Sequence, residues 1–176
     1  YRGTDRIVEV LALLPKNILA KIHVVIAGDT HLDKTAQFYL KLPKKINTLE
    51  KYVKSNNLEK NFTFLGHVDD PDNLIIHLDL TFKLTRENNP WGRDILEALS
   101  FGKPVISIGT YNKFVETKKT GFLQKKYNAK KIADWLVNIE ANRHHLNAYS
   151  YEAKKMIKEF CDPNKCSEKL IKIWRK

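Results

Sequence analysis

Cysteine is scarce in this sequence. The two present, Cys161 and Cys166 in Cys-Asp-Pro-Asn-Lys-Cys, have no further ligands at metal spacing beside them. That argues against a zinc site and against a disulfide framework, so reduced thiols and no metal are expected. Long apolar runs are missing too. The longest, Ile7 to Leu14, is broken by Glu9 and stopped by Pro15-Lys16. A membrane helix needs roughly 18 such residues. The 7 glycines form neither a dinucleotide fingerprint nor a phosphate-binding P-loop. There is no initiator Met and no signal peptide. The chain opens inside a motif, Tyr1-Arg2-Gly3-Thr4-Asp5, and runs at once into a helix. A fragment of a longer protein is therefore expected, with a strand or a whole domain upstream.

Acidic residues are outnumbered, with 31 Lys and Arg against 20 Asp and Glu, a net charge of +11. Such a balance suits an anionic partner, or simply solvated lysine-rich helix faces. The lysines are scattered and no aromatic residues interleave with them in a stripe, so nucleic acid is not expected as a partner. The 176 residues, 43% of them hydrophobic, suffice for one domain with a core.

Apolar residues at helical spacing (Ile7, Val8, Val10, Leu11, Leu14) predict a first helix capped by Thr4 or Asp5. Lys21–Asp29 is a β-branched run ending in Gly-Asp and reads as a buried parallel strand. A lysine-rich helical region follows, with Phe38, Leu40, Ile46, Leu49 and Tyr52 at helical spacing and a break near Pro43. Asn61–Val68 predicts a second strand, Asp70–Asp79 a short capped helix, and Leu80–Thr85 a third strand. Arg93–Phe101 reads as a helix, Val105–Ile108 as a strand and Thr120–Gln124 as an edge strand. Helices are expected over Ala129 to about Asn142, Ser150–Phe160 and Ser167–Trp174. Strands alternating with helices, each strand apolar throughout, mean an α/β fold: a Rossmann-like parallel sheet with helices on both faces. In such sheets ligands bind beyond the carboxyl ends of the strands. Those ends carry Gly28-Asp29, Gly66-His67, Thr85-Arg86 and Gly109-Thr110.

One stretch carries the chemistry: Asn89-Pro90-Trp91-Gly92-Arg93-Asp94-Ile95-Leu96-Glu97-Ala98. It follows a strand, so its helix begins at the ligand edge with unpaired amides and a partial positive charge, a site for a diphosphate. Gly92 allows close backbone approach, and Arg93 and Arg2 are candidate cations. Glu97 stands about one turn further in. Alone it is an ordinary exposed helix carboxylate. Behind this turn it can accept charge-assisted hydrogen bonds from a vicinal diol such as ribose.

The same order of residues resembles the C-terminal, donor-binding domain of retaining GT-B glycosyltransferases, family four (glycosyl transferases group 1). That family carries Glu-Pro-Phe-Gly-Arg, three residues, Glu-Ala, then Gly-x-Pro-Val-Ile; here Gly102-Lys103-Pro104-Val105-Ile106 completes the register without a gap. Arg2-Gly3-Thr4-Asp5 is similar to its Lys-Gly-x-Asp turn, Ala27-Gly28-Asp29 to its Val-Gly-Asp, Phe64–Val68 to its Phe-x-Gly-x-Val, and Thr120–Leu123 to its Thr-Gly-Phe-Leu. The resemblance covers about residues 1–140.

It implies a donor-binding domain that takes a nucleotide-sugar without metal or cofactor and without a protein nucleophile. Glu97 would hold the ribose, and Asn89, Trp91 and Gly92 the donor sugar. Arg2 would hold the diphosphate with help from Arg93, and the loops at Gly28, Gly66 and His67 would approach the nucleotide. No catalytic residue is assigned. The acceptor, a glycan or lipid-linked sugar as in polysaccharide biosynthesis, would be held by an absent N-terminal domain, without which the chain should not turn over. Residues 1–160 are expected as the nucleotide-sugar-binding domain and 161–176 as a helix that either crosses to the N-terminal domain or packs on this one. A cytoplasmic protein, with peripheral contact to the inner membrane face left open, is expected. Two departures stand out: Asn89 replaces the family's first Glu, and Lys113 stands where many members carry Glu. Asn89 keeps a rival reading open, a degenerate domain that binds nucleotide or a protein partner without catalysis.

Overall fold

The structure, a computed structural model, describes residues 3–32, 41–43 and 45–175. Arg2 and the expected helical segment around Phe38 and Leu40 lie outside the described residues. Helix α1 (Asp5–Ala12) starts the fold. Thr4 occupies its N-cap position but its side chain makes no capping bond, and Asp5 is buried in the first turn instead. A short α2 (Lys16–Leu19) leads into strand β1 (Val24–Ala27). Thr48 caps α3 (Leu49–Ser55), accepting from the Lys51 amide. Strand β2 (Phe62–Gly66) follows, then α4 (Pro71–Ile75), which Asp70 caps through the Asn73 amide.

Strand β3 (Thr81–Lys83), helix α5 (Arg93–Ser100) and strand β4 (Val105–Ile108) form a β-α-β unit around the Asn-Pro-Trp-Gly turn. Strand β5 (Gly121–Gln124) lies at the edge. The chain ends in α6 (Ala129–Ala141), α7 (His144–Phe160) and α8 (Pro163–Trp174).

Every pairing between these strands is parallel. The strands do not form one continuous sheet among the described residues but two pieces, β1-β2 and β3-β4-β5. The reason lies between them: no backbone pairing joins β1 to β3, and a cavity lined by both strands separates them.

Successive side chains of β4 alternate between two cores, as the pleat requires. Ile106 and Ile108 join Val8, Leu11, Val24, Ile26, Leu84 and Ile132 on one face, under α1 and α6. Val105 joins Ile95, Leu99, Val115 and Ala153 on the other, under α5 and α7. Helices therefore cover both faces. Helix α8 differs, since none of its residues is buried. Cys161 and Cys166 are free and exposed.

Candidate functional site

The expected site residues other than Arg2 stand at or just beyond the carboxyl ends of the parallel strands, in two groups. Gly28 and Gly66 meet beyond β1 and β2, where the Gly28 amide donates to the Gly66 carbonyl at 2.6 Å. His67 follows, exposed, with Nε2 at 3.3 Å from Asp69 Oδ1. The second group follows β3. Pro90 is buried against Gly109, at the end of β4, where any Cβ would stand 2.5 Å from the proline ring. A side chain at position 109 would therefore push the turn out of place. Asn89 is exposed, and its amide donates to Thr85 Oγ1 at 3.3 Å. Trp91 presents its ring to solvent, 53% exposed.

Helix α5 begins after Gly92, whose φ of 147° favours glycine; the Ile95 and Leu96 amides donate to the Gly92 carbonyl at 3.1 Å, which leaves the Arg93 and Asp94 amides at the open end of the first turn. Two features at this point escape a reading by sequence pattern. Lys83, the last residue of β3, reaches up to Gly92: a Cβ on that glycine would sit 2.9 Å from Lys83 Nζ. The same ammonium pairs with Asp94 in the first turn, at 2.6 and 2.7 Å to its two oxygens. A lysine inside the otherwise apolar Leu80–Thr85 run was the available signal. Arg93 does not stand free as expected. It is 91% exposed and its Nε lies 3.1 Å from Glu97 Oε1 on the next turn. The carboxylate and guanidinium assigned to different ligand groups are thus paired in the absence of ligand. Such an exposed i,i+4 pair contributes only a few tenths of a kcal/mol, so it opens readily.

The loop after β3 is anchored from below. Arg86 makes a bidentate pair with the buried Asp5 carboxylate, one bond at 2.9 Å and the other to Oδ2. Arg6 donates to the carbonyls of Leu84 at 2.9 Å and Thr85 at 3.0 Å. Its guanidinium lies 4.3 Å over the Tyr127 ring, and Tyr127 donates to Glu9 at 2.5 Å. Burial, with the nearby Arg86 charge, lowers the Arg6 pKa. Asp5, in the Arg-Gly-Thr-Asp turn, therefore acts on the strand end rather than on its own helix. Lys113, the second departure, lies in the loop after β4, with Nζ 4.7 Å over the Phe160 ring.

Among the described residues no group of three or more His, Cys, Asp or Glu is placed to hold a metal. The helix start thus brings together the Lys83 ammonium, paired with Asp94, and the Glu97 carboxylate one turn inward.

Residues 1–156 match the family model for glycosyl transferases group 1. The chain belongs to this family. Solved glycosyltransferases share its fold. The Anabaena HepE structure in complex with UDP matches 98% of this chain and 46% of that one, with TM-score 0.76 and 21% identity. WaaG, a glycosyltransferase involved in lipopolysaccharide biosynthesis, matches over 89% of this chain and 39% of its own, with TM-score 0.71 and 19% identity. The C-terminal domain of a group 1 family protein (LpcC) from Francisella tularensis matches over 90% and 79%, with TM-score 0.70 and 19% identity. This chain thus spans less than half of HepE and WaaG. No curated protein sequence matches it. The chain has the Rossmann-like α/β fold of the GT-B class.

Proposed function

We propose that this chain is the donor-binding domain of a retaining glycosyltransferase that moves a hexosyl group from a nucleoside diphosphate sugar to a glycan or lipid-linked acceptor. The observation that carries this reading is the start of α5. The helix start and the Lys83 ammonium beside Gly92 suit a diphosphate, and the Glu97 carboxylate one turn on suits a ribose diol. HepE has been solved with UDP and with UDP-glucose, which supports a nucleotide-sugar as the ligand class. In the bound state Glu97 leaves Arg93 and accepts from the ribose hydroxyls, while Arg93 and Arg2 turn to the diphosphate. The loops at Gly28, Gly66 and His67 border the base and ribose. Asn89, Trp91 and Gly92 border the sugar.

The chemistry follows from those roles. Cleavage of the sugar–phosphate bond leaves charge on the diphosphate, and cations and amides aimed there stabilise it without a metal. Retention follows from attack on the face the diphosphate leaves. Acceptor and turnover belong to an N-terminal domain, and α8, with no buried residues here, packs against it. Cytoplasmic placement, with the basic surface near an anionic membrane face, belongs to the same proposal.

Asn89 favours a second reading, nucleotide binding without transfer. An amide accepts one hydroxyl and donates to another but brings no charge. Thermal shift with UDP, GDP and ADP tests the first step. Stabilisation by one of the three is expected, and stabilisation by none would end both readings. Neither transfer nor release of free sugar by the full protein despite nucleotide binding, with activity gained in Asn89→Glu, would favour the second.

A further inference from the structure

Three consecutive residues just past β3 are gripped by the start of α1. Gly3 lies against the Leu84 carbonyl, where any Cβ would stand 1.9 Å from the oxygen. Arg6 donates to the Leu84 carbonyl at 2.9 Å and to the Thr85 carbonyl at 3.0 Å. Asp5 holds Arg86 by two bonds, with only 3% of the Asp5 side chain and 12% of the Arg86 side chain exposed. The grip is itself braced. The Tyr127 hydroxyl lies 3.1 Å from the Arg6 carbonyl and 2.5 Å from Glu9 Oε2.

Beyond this grip the chain turns out into solvent. Glu87, Asn88 and Asn89 are exposed, and Asn88 has a φ of 50°. The chain returns at Pro90, buried against Gly109. Exposed polar residues in a loop hold one conformation only where something ties them, because ordering them costs entropy. Here the Asn89 amide donates to Thr85 Oγ1 at 3.3 Å. Threonine hydroxyls that bond nearby backbone fix turns in this way. The bond is long, as polar contacts in ligand-free sites often are before a ligand tightens them. A single line of contacts results. Arg6 fixes the Thr85 carbonyl, the Thr85 hydroxyl fixes the Asn89 amide, and Asn89 opens the Asn-Pro-Trp-Gly turn. Helix α5 is held separately, by the burial of Ile95, Ala98 and Leu99.

We propose that Thr85 is a positioning residue for the donor sugar, acting through Asn89 rather than on the ligand. Its hydroxyl holds Asn89 at the height that the α1 grip gives the end of β3, and a group held in place binds better than one that must be ordered on binding. Loss of the hydroxyl releases what the sugar meets. It leaves what the nucleotide meets, since Lys83 lies on the strand itself and Glu97 on the separately packed α5. The inference rests on the donor-binding reading of the Asn89–Gly92 turn.

The test compares Thr85→Val and Thr85→Ala, which lose the hydroxyl, with Thr85→Ser, which keeps it. Calorimetry titrates each variant of the 176-residue chain with UDP and with UDP-glucose, UDP-galactose and UDP-N-acetylglucosamine. GDP with GDP-mannose, or ADP with ADP-glucose, replaces that set if the wild type prefers the other nucleotide. The free nucleoside diphosphate should bind all four proteins within about twofold, as expected of an independent site. The nucleotide-sugar that the wild type binds best should bind the Val and Ala variants about fivefold to tenfold more weakly, the net worth of one hydrogen bond. Thr85→Ser should restore it to within about twofold. A merely structural role would weaken nucleotide and nucleotide-sugar together, so equal losses for both would overturn the proposal. So would unchanged nucleotide-sugar binding in the Val and Ala variants, a Ser variant as weak as Ala, or a wild type to which no sugar makes a difference. Absence of nucleoside diphosphate binding to the wild type would instead end the donor-binding reading, and this inference with it.

Discussion

At the scale of single residues, three side chains carry distinct predictions. Asp5 is buried and holds Arg86 by two bonds. Removing one partner of a buried pair leaves the other charge uncompensated, so Asp5→Ala should cost about 3–5 kcal/mol in chemical denaturation. Loss of a helix cap alone would cost only about 1 kcal/mol, so the measured size separates the two roles. Lys83 stands beside Gly92 and pairs with Asp94. Lys83→Met should weaken nucleoside diphosphate binding by about tenfold and flatten its salt dependence. An equal loss for the free nucleoside would show that Lys83 acts on shape and not on phosphate. Asn89 is exposed and its amide is tied to Thr85, but its difference from the family's Glu has no structural cause in its surroundings.

At the scale of elements, the two ends of the helical layer should behave oppositely. Leu99 of α5 is wholly buried between α5, α7 and β4. Leu99→Ala should cost about 2–5 kcal/mol. Deleting α8, which buries nothing, should move Tm of this chain by less than about 2 °C. Periodicity made most elements legible before the structure. The apolar runs of β1, β2 and β4 and the amphipathic faces of α1, α5 and α6 fall where spacing put them. Two helices begin earlier than expected. Helix α7 starts at His144, because Tyr149 and Ala153 supply a buried face through a polar stretch. Helix α8 starts at Pro163, because Asp162 accepts from the Asn164 and Lys165 amides and proline suits the first turn. The turn at Asn89–Gly92 and the helix with Glu97 were legible from their order. The Lys83–Asp94, Asp5–Arg86 and Arg93–Glu97 pairs were not. The first two span separate elements, and the third depends on which rotamer each partner takes. The broken sheet was illegible for a different reason: apolar alternation shows that a strand is buried, not which strand lies beside it.

At the scale of the whole molecule, tyrosine burial sets an alkaline limit. Burial, with the Glu9 and Asp5 charges, pushes the Tyr52 phenol up to about 12. Burial, followed by the hydrogen bond to Glu9, raises Tyr127 as well. A folded pKa above the unfolded one means stability fully present below pH ~10 and lost as pH rises through the folded value. Tm should therefore hold to pH ~10 and fall steeply toward pH 12, and Tyr52→Phe should soften that fall. The net charge of +11 favours anionic ligands in general, so affinity for a nucleotide is not by itself proof of the site. The decisive quantity is what Glu97 contributes. Calorimetric titration of UDP into the wild type and into Glu97→Ala measures it directly. The ribose assignment predicts binding that weakens by about 10- to 100-fold in the variant, as two charge-assisted hydrogen bonds are lost. Equal affinity in the two proteins, or no binding of any nucleoside diphosphate to the wild type, would contradict it.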